Sequence, residues 1–190
     1  MTATVPDVRS RVLLAARSEF ALRGLAGARI DRIAVEARAS KERLYAYFGD
    51  KGSLFQAVLD ADAAEFHAAV TLDPTDVPGF VGAVFDQSAQ HPEHLRMLTW
   101  ARLEDITYRL PTDVTPHSKV EALEQAQREG LVDPSWAAED LLELLFSIAH
   151  AWVQTPVRPE DQTSTPAEQR AAAVEAARRI IAAPDASPAP

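Results

Sequence analysis

The sequence contains no cysteine, which excludes disulfide bonds, thiolate metal sites and cysteine nucleophiles. No run approaches the roughly 20 uncharged apolar residues that a bilayer-spanning helix requires. The first residues, Met1 to Asp7, hold no apolar core of the kind found in signal peptides. Aromatic residues make up only 7% of the chain, and long alternating β-branched runs are absent. We therefore expect a cytoplasmic, helix-rich protein.

Positive charge is scarce overall, since 19 Lys and Arg face 28 Asp and Glu and the net charge is −9. Its distribution is uneven, because residues 1–50 carry nine basic and six acidic side chains while the remaining residues carry a net −12. A basic N-terminal segment on an acidic body is expected when one end of a protein meets nucleic-acid phosphate. An imbalance of +3 in fifty residues is also compatible with chance, so charge alone does not decide.

Apolar residues recur at helical spacing, with glycine, proline and capping residues between the periodic segments. Gly24 is expected to end the first helix, and Ser40 and Asp50 to cap the starts of the third and fourth. The predicted helices cover 7–23, 30–37, 41–47, 51–70, 77–90, 92–108, 116–129, 134–154 and 166–183. Pro74 and Pro78 mark a break after the fourth helix, so the pattern predicts an all-α fold in two parts.

Two short helices joined by a tight turn, with a third helix before them, form a helix-turn-helix arrangement. In such an arrangement the second short helix, here 41–47, enters the major groove by its N-terminal end. Leu44 and Phe48 lie four residues apart and can pack inwards, which leaves basic and aromatic side chains on the other face. These are Lys41, Arg43, Tyr45 and Tyr47, followed by Lys51 at the start of the next helix. An ordinary three-helix bundle with a solvated basic face accounts for the same pattern.

The segment Val12 to Leu59 resembles the N-terminal DNA-binding domain of the tetracycline repressor (TetR) family. The matching residues are Leu14-Ala15-Ala16 with Glu19-Phe20 and Arg23-Gly24, Ile30 with Ile33-Ala34, and SKERLYAYFGDKGSLFQAVL from Ser40 to Leu59. The last stretch is the most specific, since a Leu-Tyr-x-Tyr-Phe core is followed by a capping residue, a lysine and apolar residues. About a quarter of the chain carries the resemblance.

The resemblance implies that the helix from Ser40 to Tyr47 reads DNA. Lys41, Tyr45 and Tyr47 match DNA-facing positions of the family, and Lys51 matches a phosphate contact. The full set of expected DNA-binding residues is Arg29, Ser40, Lys41, Arg43, Tyr45, Tyr47 and Lys51.

Three residues depart from the family pattern. Arg38 stands in the turn where the family often has Gly. Glu42 stands where a small residue is usual, and it would meet DNA unfavourably unless it reads cytosine N4 or turns aside. Arg29 stands near the position where Ser or Thr usually begins the second helix, so we expect Arg29 to bind a phosphate at the expense of a helix cap.

The family further implies that residues 1–50 form a DNA-binding domain continuing into helix 51–70, and that 71–183 form a ligand-binding and dimerisation domain. In the family the last two helices of each subunit form a four-helix bundle across a two-fold axis, and helix 134–154 is apolar over more than one face. The expected interface residues are Leu145, Trp152, Val174, Ala177 and Ile181. A monomeric helical core is the alternative. The segment 155–165 is predicted to be an exposed loop, and 184–190 a disordered tail.

Candidate effector-pocket residues are aromatic or polar side chains within the C-terminal helices. They are Phe85, His94, Met97, Trp100, Phe146 and His150. A lone histidine such as His150 on an apolar helix is more often a hydrogen-bonded core residue, and Trp100 and Trp152 are more often packing residues. His91 and His94 lack the further ligands of a tetrahedral site, so neither a metal nor another cofactor is expected.

The sequence thus indicates a ligand-responsive transcriptional regulator, most simply a repressor that binds a palindromic operator as a homodimer. Its expected partners are double-stranded DNA, a second copy of the chain and an unidentified small molecule, with no membrane. The chain has no GxSxG elbow, glycine-rich phosphate loop or HExxH motif, so we do not expect an enzyme. A protein-interaction module that uses this fold without binding DNA is the remaining alternative.

Overall fold

The computed structural model describes residues 7–108, 117–154 and 164–182, which form nine α-helices and no strand. This confirms the all-α fold predicted from the sequence. The helices are α1 (Val8–Gly27), α2 (Ile30–Glu36), α3 (Lys41–Phe48), α4 (Lys51–Ala69), α5 (Val77–Gln90), α6 (Pro92–Leu103), α7 (His117–Arg128), α8 (Ala138–Gln154) and α9 (Pro166–Ile181). The predicted tail 184–190 and most of the predicted loop 155–165 lie outside the described residues.

The helices divide between two compact units. The first unit holds the described residues 7–66 and 91–108, and the second holds 67–90, 117–154 and 164–182. The division falls within α4, between Phe66 and His67. Chain order placed α6 in the expected domain 71–183, whereas α6 packs along α1 and belongs to the first unit.

The core of the first unit is built from α1 to α4 and α6. Phe20 of α1 and Phe55 of α4 meet edge to face, with ring centroids 5.0 Å apart. Leu44 of α3 is buried and Phe48 is partly buried against the same core, as their four-residue spacing predicted. Met97 of α6 is fully buried in this cluster. Apolar packing of its inner face against this core therefore holds α3, the candidate recognition helix, in place.

Three predicted helix ends differ from the structure by more than two residues. α1 runs past Gly24 to residue 27, although Gly24 itself has a left-handed φ of 68° and breaks the regular geometry. α6 ends at Leu103 instead of residue 108, because Asp105 adopts a φ of 53°. α8 begins at Ala138 instead of residue 134, since the Asp133 carboxylate accepts the Ser135 N–H at 2.8 Å in a tight turn.

The second unit packs α5 against both α8 and α9, and α7 against α8. Arg170 of α9 forms an ion pair with Asp86 of α5, with Nε 2.8 Å from the carboxylate. α9 begins with a capping box, in which the Thr165 hydroxyl accepts the Glu168 N–H and the Glu168 carboxylate accepts the Thr165 N–H. None of the helices in the described ranges is long and apolar enough to cross a bilayer.

Candidate nucleic-acid interface

The candidate recognition helix α3 begins and ends at residues suited to those positions. The Ser40 hydroxyl accepts the Arg43 N–H at 3.2 Å and so satisfies one of the unpaired amides of the first turn. Gly49 follows the helix with a φ of 80°, a conformation that favours glycine. Between these ends, Tyr45 and Tyr47 are about half exposed. The helix therefore presents two aromatic side chains on its solvent face.

A groove of about 400 Å³ lies beside α3 in the first unit. It is lined by Ala28, Arg29, Ile30, Asp31, Lys41, Tyr45 and Lys51. Three helices thus contribute a basic residue from their first turn or N-cap to one concave surface. Four of the seven expected DNA-binding residues, Arg29, Lys41, Tyr45 and Lys51, are brought together there.

The other three expected residues, Ser40, Arg43 and Tyr47, are exposed on α3 but do not line the groove. Ser40 is engaged as the helix cap. The Tyr47 ring lies 6.1 Å from that of Phe48.

Lys51 is tied to the main chain at the end of α1. Its ammonium donates to the carbonyl oxygens of Ala26 at 3.3 Å and Ala28 at 3.2 Å. The helix that Lys51 begins is capped by Asp50, whose carboxylate accepts the Ser53 N–H at 2.7 Å. This hydrogen bond lowers the pKa of Asp50. Lys51 consequently fixes the position of the N-terminus of α4 against the segment that leads into α2.

Lys41 and Arg29 differ in how they are held. The Lys41 ammonium forms an ion pair with Asp31 of α2, so a phosphate or guanine that binds Lys41 must displace this carboxylate. Arg29 occupies the N-cap of α2 without a side-chain capping bond, and its backbone N–H donates to Glu19 at 3.1 Å. The missing cap agrees with the sequence expectation for Arg29, whose guanidinium is exposed beside the groove.

The two remaining departures from the family pattern also have a structural basis. The pKa of Glu42 is lowered because its own backbone N–H and the Ser40 hydroxyl hydrogen bond to its carboxylate. Glu42 therefore turns back towards the start of its own helix. Arg38 takes the left-handed conformation, with a φ of 51°, that a glycine would adopt at this turn.

Arg9 is a residue near this surface that the sequence reasoning missed. Its guanidinium lies 5.6 Å from the centroid of the Phe48 ring, which places a further positive charge beside α3. Helical periodicity could not have identified it, because the contact joins the start of α1 to the end of α3.

The candidate effector residues fall into both units. His94, Met97 and Trp100 lie on α6 in the first unit. His94 Nδ1 is 2.7 Å from Asp62, and Trp100 donates its indole N–H to the Ala21 carbonyl at 3.2 Å. These three side chains thus serve the packing of α6 in the first unit.

Phe85, Phe146 and His150 lie in the second unit. His150 Nε2 is 3.0 Å from the Ser88 hydroxyl, as expected for a hydrogen-bonded interior histidine. The Phe146 ring lies 6.1 Å from the His150 ring and 5.5 Å from that of Phe80. Phe80, Phe146 and His150 form one aromatic cluster between α5 and α8, whereas the Phe85 ring lies 6.3 Å from that of Trp152.

The expected dimer-interface residues are mostly packed inside the second unit. Leu145, Ala177 and Ile181 are buried there, while Trp152 and Val174 are partly exposed. The exposed apolar side chains of α8 are instead Leu144 and Val153. The family resemblance assigned Leu145 to an interface, and that assignment stays a prediction.

Comparison with known proteins agrees with an N-terminal helix-turn-helix unit followed by a C-terminal helical region. Residues 12–58 match the family model of bacterial regulatory proteins of the tetR family, and residues 76–179 match the tetracyclin repressor-like C-terminal domain. The HTH-type transcriptional repressor SCO4008 of Streptomyces coelicolor is 41% identical over 161 residues, covering 82% of this chain and 84% of that protein. The HTH-type transcriptional repressor NicS of Pseudomonas putida is 32% identical over 102 residues, covering 50% of this chain and 48% of that protein.

A solved structure shares the fold over nearly the whole chain. The Streptomyces coelicolor protein SCO4942, assigned as a transcriptional regulator, superimposes with a TM-score of 0.81 at 41% identity and covers 94% of this chain and 100% of that chain. Two family models and two proteins with high coverage, SCO4008 and SCO4942, therefore agree with a helix-turn-helix unit followed by a C-terminal helical domain. The chain belongs to the TetR family of transcriptional regulators.

Proposed function

We propose that the protein is a repressor that binds a palindromic operator as a homodimer and leaves it when a small molecule binds the second unit. The observation that carries the proposal is the groove where Arg29, Lys41 and Lys51 meet beside the exposed side of α3. Two relatives that bear the name repressor, SCO4008 and NicS, support this mode of regulation.

The residues around the groove divide into two roles in DNA binding. Arg29 and Lys51 lie at the starts of α2 and α4, where side-chain charge and helix N–H groups suit phosphate oxygens. Lys41 and Tyr45 lie in the first half of α3, the part of a recognition helix that reaches base edges. Phosphate contacts would place the protein on the duplex, and α3 would read the sequence.

A second apolar stripe on α8 supports the homodimer. Leu144, Ile148 and Ala151 lie at helical spacing on one side of the helix, and Leu144 is 37% exposed. Leu141 and Leu145, on the neighbouring side, are already buried by the unit itself. An isologous interface through the exposed stripe would present two recognition helices related by a two-fold axis, and such symmetry matches a palindromic operator.

The effector would bind near the aromatic cluster of Phe80, Phe146 and His150. A mostly apolar lining with a few polar groups is the usual character of a small-molecule site. Because α4 begins in the first unit and ends in the second, ligand binding can alter the spacing of the two DNA-binding units. It does so only if the ligand has different affinities for the two arrangements.

The test is a titration of labelled duplex DNA, taken from the region upstream of the gene and from a random-sequence selection. The Lys41→Ala/Tyr45→Ala variant should lose competitor-resistant binding by about 100-fold, since two side chains that reach base edges are removed. Arg128→Ala, which removes one positive charge from an exposed site of the second unit, should bind as the native chain does.

Native affinity in the Lys41→Ala/Tyr45→Ala variant would refute α3 as the reading helix. Weak binding that disappears with modest salt and ignores the substitutions would indicate phosphate attraction only. If no selected sequence binds, the interaction-module alternative replaces the proposal.

A further inference from the structure

The break in α1 leaves main-chain groups on both sides of Gly24 without their regular helical partners. Gly24 has φ 68° and ψ −178°, so the hydrogen-bond ladder of α1 is interrupted at this residue. In a continuous helix the Leu25 N–H would donate to the Ala21 carbonyl, and the Ala26 N–H would donate to the Leu22 carbonyl. Buried or partly buried main-chain groups of this kind require other partners.

Side chains of α6 supply those partners. The Ala21 carbonyl accepts the Trp100 indole N–H at 3.2 Å and the Arg96 Nε–H at 3.0 Å. The Glu104 carboxylate, at the end of α6, accepts the Leu25 N–H at 3.0 Å.

The same Glu104 carboxylate also accepts the Ala26 N–H at 3.1 Å. A carboxylate that receives two amide N–H groups forms charge-assisted hydrogen bonds, which are stronger than bonds between neutral groups.

The approach of α6 to the break is too close for any side chain at residue 24. A Cβ on Gly24 would lie 2.7 Å from a ring carbon of Trp100 and closer still to the Glu104 carboxylate. The left-handed φ and this lack of space both require glycine. The close approach is therefore a built feature of the α1–α6 packing.

The segment after the break is held from its other side by the DNA-facing surface. Lys51 donates to the carbonyl oxygens of Ala26 and Ala28, and Arg29 follows at the N-cap of α2. The Ala26 N–H thus donates to Glu104 at the C-cap of α6, and the Ala26 carbonyl accepts a hydrogen bond from Lys51 of α4. Ala28, Arg29 and Lys51 all line the groove beside α3.

We propose that Glu104, assisted by Trp100 and Arg96, is a positioning residue for DNA binding that sets the placement of Arg29 and Lys51. α6 lies within the matched C-terminal region, not in the matched DNA-binding region 12–58. The chain connects α6 at both ends to segments of the second unit. Operator affinity is thereby controlled by a helix that does not itself touch DNA. This inference rests on the proposed function.

The test compares Glu104→Gln with Asp105→Asn. The two substitutions remove the same charge from adjacent residues, and asparagine tolerates the φ of 53° at residue 105. Two quantities are measured: amide hydrogen exchange without DNA, and affinity for a duplex selected by the native chain over a range of salt concentrations.

Glu104→Gln should accelerate exchange at Leu25 and Ala26 by about tenfold and lower operator affinity by about tenfold. The slope of log affinity against log salt should also become shallower by about 0.9 for each phosphate that the variant no longer binds. Asp105→Asn should leave amide exchange, operator affinity and salt slope at their native values. Trp100→Phe, which removes the indole N–H together with part of the ring, should change exchange, affinity and salt slope in the same direction by smaller amounts.

Faster exchange with native affinity and native salt slope would overturn the proposal, because the role of Glu104 would then be structural only. An affinity loss with the native slope in both Glu104→Gln and Trp100→Phe would also overturn it, since it would report a reduced folded fraction. If the native chain selects no sequence, the proposed function fails and this inference with it, whereas the exchange measurement still reports whether Glu104 holds the segment.

Discussion

At the scale of single residues, the three lysines of the chain show that the role of a lysine depends on the group that its ammonium contacts. Lys41 pairs with the Asp31 carboxylate at the surface. Lys51 donates to carbonyls at the end of α1, and Lys119 donates to the His67 carbonyl in the last turn of α4 at 3.2 Å. Carbonyls in a final helical turn lack intrahelical partners, so a lysine there compensates both their hydrogen bonding and the helix dipole.

Lys119 provides a pH-dependent prediction because its side chain is 4% exposed and burial lowers its pKa from the ordinary value of 10.5. Between the folded and unfolded pKa values the unfolded chain binds more protons, so stability rises with pH in that window. Its burial therefore destabilises the fold fully below the folded pKa, and this effect is lost as the pH approaches 10.5.

We expect the free energy of unfolding of the native chain, relative to Lys119→Met, to increase between about pH 7 and pH 10. The slope is at most about 1.4 kcal/mol per pH unit, the limit for one proton. Urea titrations of both proteins across this range measure it. A difference that stays constant or decreases with pH would contradict the prediction.

The same residues show what the sequence could predict at this scale. Ser40 and Asp50 were identified as caps because a cap bonds to an amide two or three residues along the same chain. The partners of Lys51 and Lys119 could not be identified, since the accepting carbonyls belong to other helices. The apolar helix around His150 indicates a core histidine. Its partner Ser88 lies on α5, so only the fold identifies it.

At the scale of helices, punctuation by glycine, proline and capping residues predicted the existence and order of all nine helices that the structure describes. The assignment of α6 to the C-terminal domain followed chain order, and the structure instead places α6 along α1. Periodicity reveals which face of a helix is apolar but not which helix covers it. For that reason His94, Met97 and Trp100 could not be separated from the second-unit candidates by sequence.

The uncapped start of α2 leads to a prediction that separates stability from DNA binding. Arg29→Ser introduces a hydroxyl at an N-cap that lacks a side-chain bond, and it should stabilise the fold by about 1 kcal/mol. The same change removes a groove cation from each subunit of the proposed dimer, so the salt slope of operator binding should become shallower by about 1.8, which is about 0.9 for each lost phosphate contact. Urea unfolding and salt-dependent DNA titration measure the two effects.

Arg29→Ala is the matched control, because it removes the charge without adding a cap. It should share the change in salt slope and lack the gain in stability. If Arg29→Ser binds DNA with the native slope, Arg29 does not bind a phosphate.

At the scale of the whole molecule, charge and symmetry act together. Residues 1–50 carry the net positive charge, and the rest of the chain carries −12. A two-fold axis would double the basic surface and relate two grooves by the symmetry that a palindromic operator requires. The uneven distribution of charge could be predicted from the sequence, because it requires only a count of the charged residues in each part. The interface residues stay a prediction, because a stripe buried in one copy looks the same in sequence as a stripe that a second copy covers.

The proposed homodimer can be tested at the exposed stripe of α8. Leu144→Glu places a charge at the centre of the proposed interface, where burial of an unpaired carboxylate is unfavourable. We expect this variant to have the mass of a single chain in light scattering at micromolar concentration, with native helical content. Operator affinity should fall by roughly 100-fold or more, because the second recognition helix no longer binds within the same complex.

Leu131→Glu is the control, since it makes the same substitution at a leucine that is 50% exposed in the turn after α7. It should keep the dimer mass and the native affinity. A Leu144→Glu protein that remains dimeric would place the interface elsewhere on the second unit. If it becomes monomeric yet binds the operator as tightly as before, a single chain recognises the DNA. The palindromic operator would then be wrong while the reading role of α3 would stand.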